Sequence, residues 1–314
     1  MPGLPLLRIP LLAQLEILKH VEVYDLITLT FCSEKTRTLV ESANIPLRQL
    51  DFSFIGPTGV VIPVNNDSCM ITQFTTMTCC HCKNPHKSME VVWRHNSLPQ
   101  KVVLLQSAPG DDSLEKKITD HLMRTFRKVK LVNIQTDRIG AQKFPVWKYR
   151  KAINNFICFS DETMSEEEIN FILQELTINR NFNIYSPVVD GFRFSAGFQS
   201  EKVRIEQANW VQFDAILNSK SQEISLKGIE KPTTSQLNTF LKLWVSMDEM
   251  KELEVLKLEW PAGNCLTSTF LTEVLDGIVH VRPSPELAEF RRIDGKLANV
   301  SVFGSTKICF TLSL

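Results

Sequence analysis

IPLLAQLEILKHVEVYDLITLTFC, residues 9–32, is mostly apolar yet carries charges scattered through it. Pro10 suits the first turn of a helix, where its missing N–H costs nothing. At about 100° per residue, Leu11, Leu15, Ile17, Leu18 and Val21 spread over roughly 160°, wider than the usual core stripe of about 100°. Leu12 falls outside even that arc. The next segment, YDLITLTFCS, distributes Tyr24, Leu26, Ile27, Leu29, Phe31 and Cys32 all around a helix, which must then be covered on every side. SEKTRTLVES turns polar, with Ser33 as an N-cap and Leu39 and Val40 facing inward. Three short helices cannot hide this much apolar surface among themselves. Fully burying one Leu is worth roughly 1.5–3 kcal/mol, so several left in water would drive association. Either the rest of the chain supplies the cover or another polypeptide does.

The bulk numbers narrow the classes. A chain of 314 residues has room for two domains. Lys plus Arg and Asp plus Glu stand at 35 each, a balance that argues against a generic nucleic-acid binder. The local basic run Arg124 to Lys130 reads as a solvated helix end. The N-terminus lacks the basic region of a signal peptide, and Pro2, Pro5, Pro10 and Arg8 interrupt its apolar run. No run approaches a membrane span. The eight cysteines lack the dense spacing of a secreted scaffold, and the sequons at Asn66 and Asn299 have no entry signal beside them, so both are chance matches. A reduced, intracellular protein, in cytoplasm or nucleus, is expected.

The order Ile-Pro, L-L-x-x-L-x-I-L, Y-D-L-x-x-L-x-F-C-S and K-x-x-x-L-V resembles an F-box, close to the variant in the large nematode-type family. The resemblance implies a three-helix module docking onto the Skp-type adaptor of a cullin–RING ubiquitin ligase. By matching position, Pro10, Leu11, Leu15 and Leu18 would form the first adaptor-contact ridge, and Leu26, Leu29 and Phe31 would shape the second helix. Cys32 matches the family's cysteine. Glu22-Val23 replaces the Asp-Pro common before the second helix, and no Trp follows the cysteine.

Beyond Pro46 the pattern changes. LRQLDFSFIGPTGVVIPVN reads as a hairpin, and MEVVWRH and KVVLLQ as short strands. From about residue 113 helices alternate with strands. Ser165 with Glu168 and Thr233 with Gln236 stand at capping-box spacing, and Asn209 reads as the N-cap of NWVQFDAIL. Leu237, Phe240, Leu241 and Trp244 recur at i, i+3, i+4, i+7. The strands FNIYS, VRIEQ, EISLKG and LEVLKLEW start about 20 to 30 residues apart, the range of leucine-rich-type repeats. LEVLKL has the L-x-x-L-x-L order, but Pro261 stands where the repeat wants Asn. An ordinary α/β sheet fits the same alternation.

Residues 224–260 resemble the type-two F-box-associated domain through Leu237-Asn-x-Phe-Leu-Lys-x-Trp244 and Leu253-Glu-x-Leu256. The tail FRRIDGKLANVSVF also resembles that family's end, with Asp294-Gly295 as a hairpin turn. The expected fold is α+β. A three-helix F-box occupies 1–46 and a β-rich connecting segment 47–112. An irregular leucine-rich-repeat-like α/β domain occupies 113–314, with its core match at 205–260 and a hairpin at its end.

Chemistry-bearing motifs are few. There is no P-loop, HExxH or GxSxG, and GFRFSAGF departs from a nucleophile elbow. The acidic run 161–168 precedes a helix and suits its dipole. His20, His121 and His280 stand alone. Cys79 and Cys82 have C-x2-C spacing, and His86 and His95 could complete a zinc set, although no second Cys pair follows. Trp260, at a strand end, is a candidate substrate contact because Trp is enriched at hot spots. The expectation is a non-enzymatic substrate receptor of an SCF-type ligase, without a cofactor, partnered by a Skp-type adaptor and an unknown protein substrate. The alternative is a zinc- or nucleic-acid-binding module centred on residues 79–95.

Overall fold

A computed structural model describes residues 6–54, 91–95, 98–103, 113–247, 249–261, 269–304 and 306–312. The chain divides into two compact units, Met1–Ile153 and Asn154–Leu314.

The first unit opens with one 3-10 turn, Leu6–Arg8, and three helices: α1 (Leu11–Lys19), α2 (Val23–Cys32) and α3 (Glu34–Ala43). Ser33 sits where expected. Its hydroxyl accepts from the Thr36 N–H at 3.1 Å, and Thr36 Oγ1 accepts from the Ser33 N–H at 3.1 Å, closing a capping box. Asn44 ends α3 in the left-handed region, a conformation its short polar side chain tolerates. Strand β1 (Leu47–Phe54) follows, and β2 (Val91–His95) with β3 (Leu98–Val103) form an antiparallel pair. Helix α4 (Ser113–Thr125) leads into β4 (Val129–Thr136). β1 was expected as one arm of a hairpin. Its partner here is β4, in parallel, from Leu47 opposite Val129 to Phe54 opposite Thr136. A parallel pair needs a long crossover, and α4 lies within the connecting stretch. Leu50, Phe52 and Phe54 of β1 are buried with Val132 and Ile134 of β4.

Strand β5 (Ala152–Cys158) lies mostly in the second unit, which continues with α5 (Glu166–Asn170), β6 (Thr177–Ile184), β7 (Lys202–Ile205), α6 (Phe213–Leu217), β8 (Glu223–Lys227), α7 (Thr234–Ser246) and β9 (Val255–Glu259). Then come α8 (Phe270–Val274) and four antiparallel strands, β10 (Val281–Ser284), β11 (Leu287–Arg291), β12 (Leu297–Phe303) and β13 (Lys307–Leu312). The order across the sheet is β5-β6-β7-β8-β9-β13-β12-β11-β10.

The repeat-like character is real but short. β6 to β9 are parallel and in register, so Phe182, Val203, Ile224 and Leu256 form one buried row and Ile184, Ile205, Leu226 and Leu258 the next. The row advances 21 residues, 21 again, then 32. It stops at β9, whose free edge is taken by β13 running antiparallel, with Phe310 opposite Leu256. Covering an edge strand in this way removes a template for unwanted pairing. Helix α7 is held by a full Thr233–Gln236 capping box and buries Leu237, Phe240, Leu241 and Trp244, the four residues of the helical stripe. Phe240 meets the Phe310 ring at 5.0 Å, and the Trp244 indole N–H donates to the Leu253 carbonyl at 2.8 Å.

Two local expectations shift. Asn209 does not cap a helix: α6 begins at Phe213 behind Gln212. The Phe194 N–H bonds the Trp210 carbonyl and the Gln212 N–H bonds the Phe194 carbonyl, a parallel bridge at Val211 that follows a turn closed by the Val211 N–H on the Ala208 carbonyl. The helix begun by Ser165 is α for one short stretch, then widens into a π turn over Phe171–Glu175. The Asp294-Gly295 turn stands as expected, with Gly295 at φ +83° between β11 and β12.

Candidate functional site

The N-terminal helices build their own small core and still leave apolar surface outside. Leu18, Leu26, Ile27, Leu39 and Val40 are buried. Leu7, Leu11 and Leu12 are 48%, 57% and 81% exposed. Three large apolar side chains clustered at one helix start are not the scattered single exposures that need no explanation. The geometry is fixed by Gln14, whose side-chain amide reaches back to donate to the Ile9 carbonyl at 2.7 Å. That bond ties the chain entry to the first turn, so Leu7 and Leu11 project from a held backbone.

The expected contact residues therefore divide. Pro10 and Leu11 are exposed and Leu15 is half-buried, while Leu18 and Leu26 are buried within the unit. Leu29 and Phe31 are half-buried. The Phe31 ring stacks on His121 of α4, centroids 4.2 Å apart and planes 18° from parallel, and His121 Nε2 lies 2.8 Å from the Thr30 hydroxyl. Burial, with Arg37 adding to it, holds the His121 pKa down to about 4, so the ring is neutral near pH 7. His121 is thus a brace between α4 and the end of α2. Beside it lies a polar cleft of about 500 Å³ between α3 and α4, lined by Arg37, Glu41, Asp120, His121, Arg124 and Arg127. Its carboxylates offset its arginines: Arg37 pairs with Glu34 and Glu41.

Leu7 and Leu12 are absent from the expected ridge, yet Leu12 is the most exposed side chain of the cluster. Leu12 lies outside the helical arc and Leu7 precedes the helix, whereas Leu11 lies within the arc and is still exposed, so the arc alone does not separate core from surface.

Residues 6–48 match the F-box domain and residues 197–258 match the F-box associated family. The chain carries both an F-box and an F-box-associated domain. Such a pair is the composition of substrate receptors of SCF-type ubiquitin ligases in general. The chain is also similar to the Skn-1 dependent zygotic transcript 15 protein of Caenorhabditis elegans, 22% identical over 332 residues that cover 96% of this chain and 95% of that one. No solved structure matches.

In the F-box-associated unit, Trp260 is buried and its ring packs on Phe270 at 6.2 Å, so its indole belongs to the core between β9 and α8. Cys79, Cys82 and His86 lie outside the described residues, and His95 ends β2. Among the described residues no group of three His, Cys, Asp or Glu side chains is placed to hold a metal. No helix among them is long and apolar enough to cross a membrane.

Proposed function

We propose that this chain is the non-catalytic substrate receptor of an SCF-type cullin–RING ubiquitin ligase. The F-box binds a Skp-type adaptor through the ridge of Leu7, Pro10, Leu11, Leu12 and Leu15, and the F-box-associated unit holds a protein substrate. Transfer chemistry resides in other subunits, and the receptor raises the local concentration of substrate beside them. The work takes place inside the cell, where the ligase is.

The observation that supports this reading is the exposure of Leu11 and Leu12 on a segment that matches an F-box. Burying what remains exposed of both side chains in a partner is worth roughly 2–4 kcal/mol, enough to separate a transient contact from a stable complex. Leu18 and Leu26 act beneath that surface by setting the angle at which α1 and α2 meet α3.

The test is co-purification of the full chain with a Skp-type adaptor and measurement of the stoichiometry. A one-to-one complex is expected. Leu11→Asp with Leu12→Asp should weaken it by about a hundredfold or more while the melting temperature stays near wild type, because both side chains already stand in water. Leu18→Asp would also abolish binding, but by unfolding the helices, so it is a poorer probe. Undiminished adaptor binding by the Leu11/Leu12 variant would sink the proposal.

A further inference from the structure

Every second residue of the second unit's strands turns away from the helices. Strand register sorts these outward side chains into rows that cross the sheet. The first row runs Asn181, Lys202, Glu223, Val255, Thr311, Asn299. The second runs Asn183, Arg204, Ser225, Lys257, Cys309, Ser301. The third runs Lys227, Glu259, Lys307, Phe303.

We infer that this face seats an acidic segment of a protein partner along the second row, from Arg204 to Lys257 and on over Cys309 and Ser301. The inference rests on the receptor reading and deepens it, because it names the class of substrate surface.

Three observations carry it. The first is charge. Lys202, Arg204, Lys227, Lys257, Arg291 and Lys307 point outward here against Glu223, Glu259 and Glu289, with Glu206 at the margin. A chain with 35 residues of each sign thus carries a small cationic excess on this surface. The second is pairing. Lys202 meets Glu223 at 2.6 Å, and Arg204 and Lys227 share Glu206 at 2.7 and 3.5 Å. Lys257 is exposed, and among the described residues no carboxylate lies within ion-pair distance of it. The third is relief. Ser225 and Ser301 are short and Cys309 is buried, so Arg204 and Lys257 are the side chains that stand above the second row, while Glu223 and Glu259 sit in the rows on either side. An anion settling on this row meets cations first.

The spacing selects a shape. Strands lie about 4.8 Å apart, which puts Arg204 and Lys257, two strands apart, about 10 Å from each other. An extended polyproline-II segment repeats its side-chain direction every three residues, a rise of about 9 Å. Carboxylates at i and i+3 of such a segment would reach both cations.

The experiment uses the full chain and a fluorescent peptide of repeated Glu-Pro-Ala, long enough to cross from β7 to β12. Anisotropy should report saturable binding that weakens as salt rises, and Lys257→Glu should weaken it by about tenfold or more with an unchanged melting temperature. The inference is overturned by any of four results: no binding at low salt, equal binding by Lys257→Glu, equal binding of a Lys-Pro-Ala repeat, or equal binding of polyuridylate, which would mark a generic polyanion patch. A phosphoserine repeat binding where the glutamate repeat does not would also overturn it. Adaptor binding is measured on the same preparations. Its loss with peptide binding intact counts against the receptor reading and leaves the acidic-segment surface standing; the reverse result removes only this inference.

Discussion

The start of α1 and the outward face of the second unit's sheet both offer themselves to another molecule, by opposite physics. On the helix and the turn before it the exposed apolar groups are Leu7, Leu11 and Leu12, with exposed Arg8 beside them. On the sheet they are Lys202, Arg204, Lys227, Lys257 and Lys307, standing over a row of small polar side chains. The apolar ridge gains free energy by removing hydrocarbon from water, a gain insensitive to salt and to the partner's exact sequence. The cationic row gains by charge complementarity, which sets orientation and selectivity more than strength. In the proposed receptor this division would give a constant grip on the machinery and a discriminating grip on the substrate.

The sharpest way to break this comparison is a reciprocal pair of variants. Leu11→Asp with Leu12→Asp should cost the adaptor complex about a hundredfold and leave Glu-Pro-Ala binding unchanged, whereas Lys257→Glu should do the converse. Loss of both functions in either variant would mean that the two surfaces are not separable. Raising salt from about 50 mM to about 500 mM should extend the contrast, releasing the acidic peptide and sparing the adaptor.

The two regions also differ in what supports them. The sheet face depends on α7 beneath it, where Trp244 packs against Phe240, Phe290 and Phe310. Trp244→Ala should destabilise the F-box-associated unit by about 3–5 kcal/mol, read by chemical denaturation. Gly197→Ala should cost roughly 2–4 kcal/mol at the same unit. Its φ is +93°, and a Cβ there would lie 2.3 Å from the Asn218 carbonyl oxygen.

The smallest expected effect belongs to the F-box side. His121 has its pKa held at about 4 against an ordinary 6.5, so the unfolded chain takes up the proton more readily. The stabilisation it gives is complete above about pH 6.5 and is lost as pH falls toward 4. Between pH 7 and pH 5 the melting temperature should therefore fall further in wild type than in His121→Gln, by about 2 °C. An equal fall would show that the brace is not the titrating group.

Local signals carried far in this chain. The Ser33 cap, the Thr233–Gln236 capping box, the α7 stripe and the Asp294-Gly295 turn all follow from short-range chemistry that nothing distant overrules. Where a distant partner competes for the same backbone groups, local reading falls short. β1 pairs with β4 rather than with its sequence neighbour, and the Phe194 bridge takes the groups that would have begun a helix at Asn209.

The amino-acid order by itself determined that the leading helices hold more apolar surface than they can bury together, and that helices alternate with strands beyond about residue 113. Those are properties of composition and period. Only the tertiary structure decided which leucines remain outside, Leu11 and Leu12 rather than Leu18, and which cations share a row, Arg204 with Lys257. The reason is that exposure and adjacency are set by what packs against a residue from elsewhere in the chain. Pairwise register between strands 20 or more residues apart is invisible until those strands are side by side.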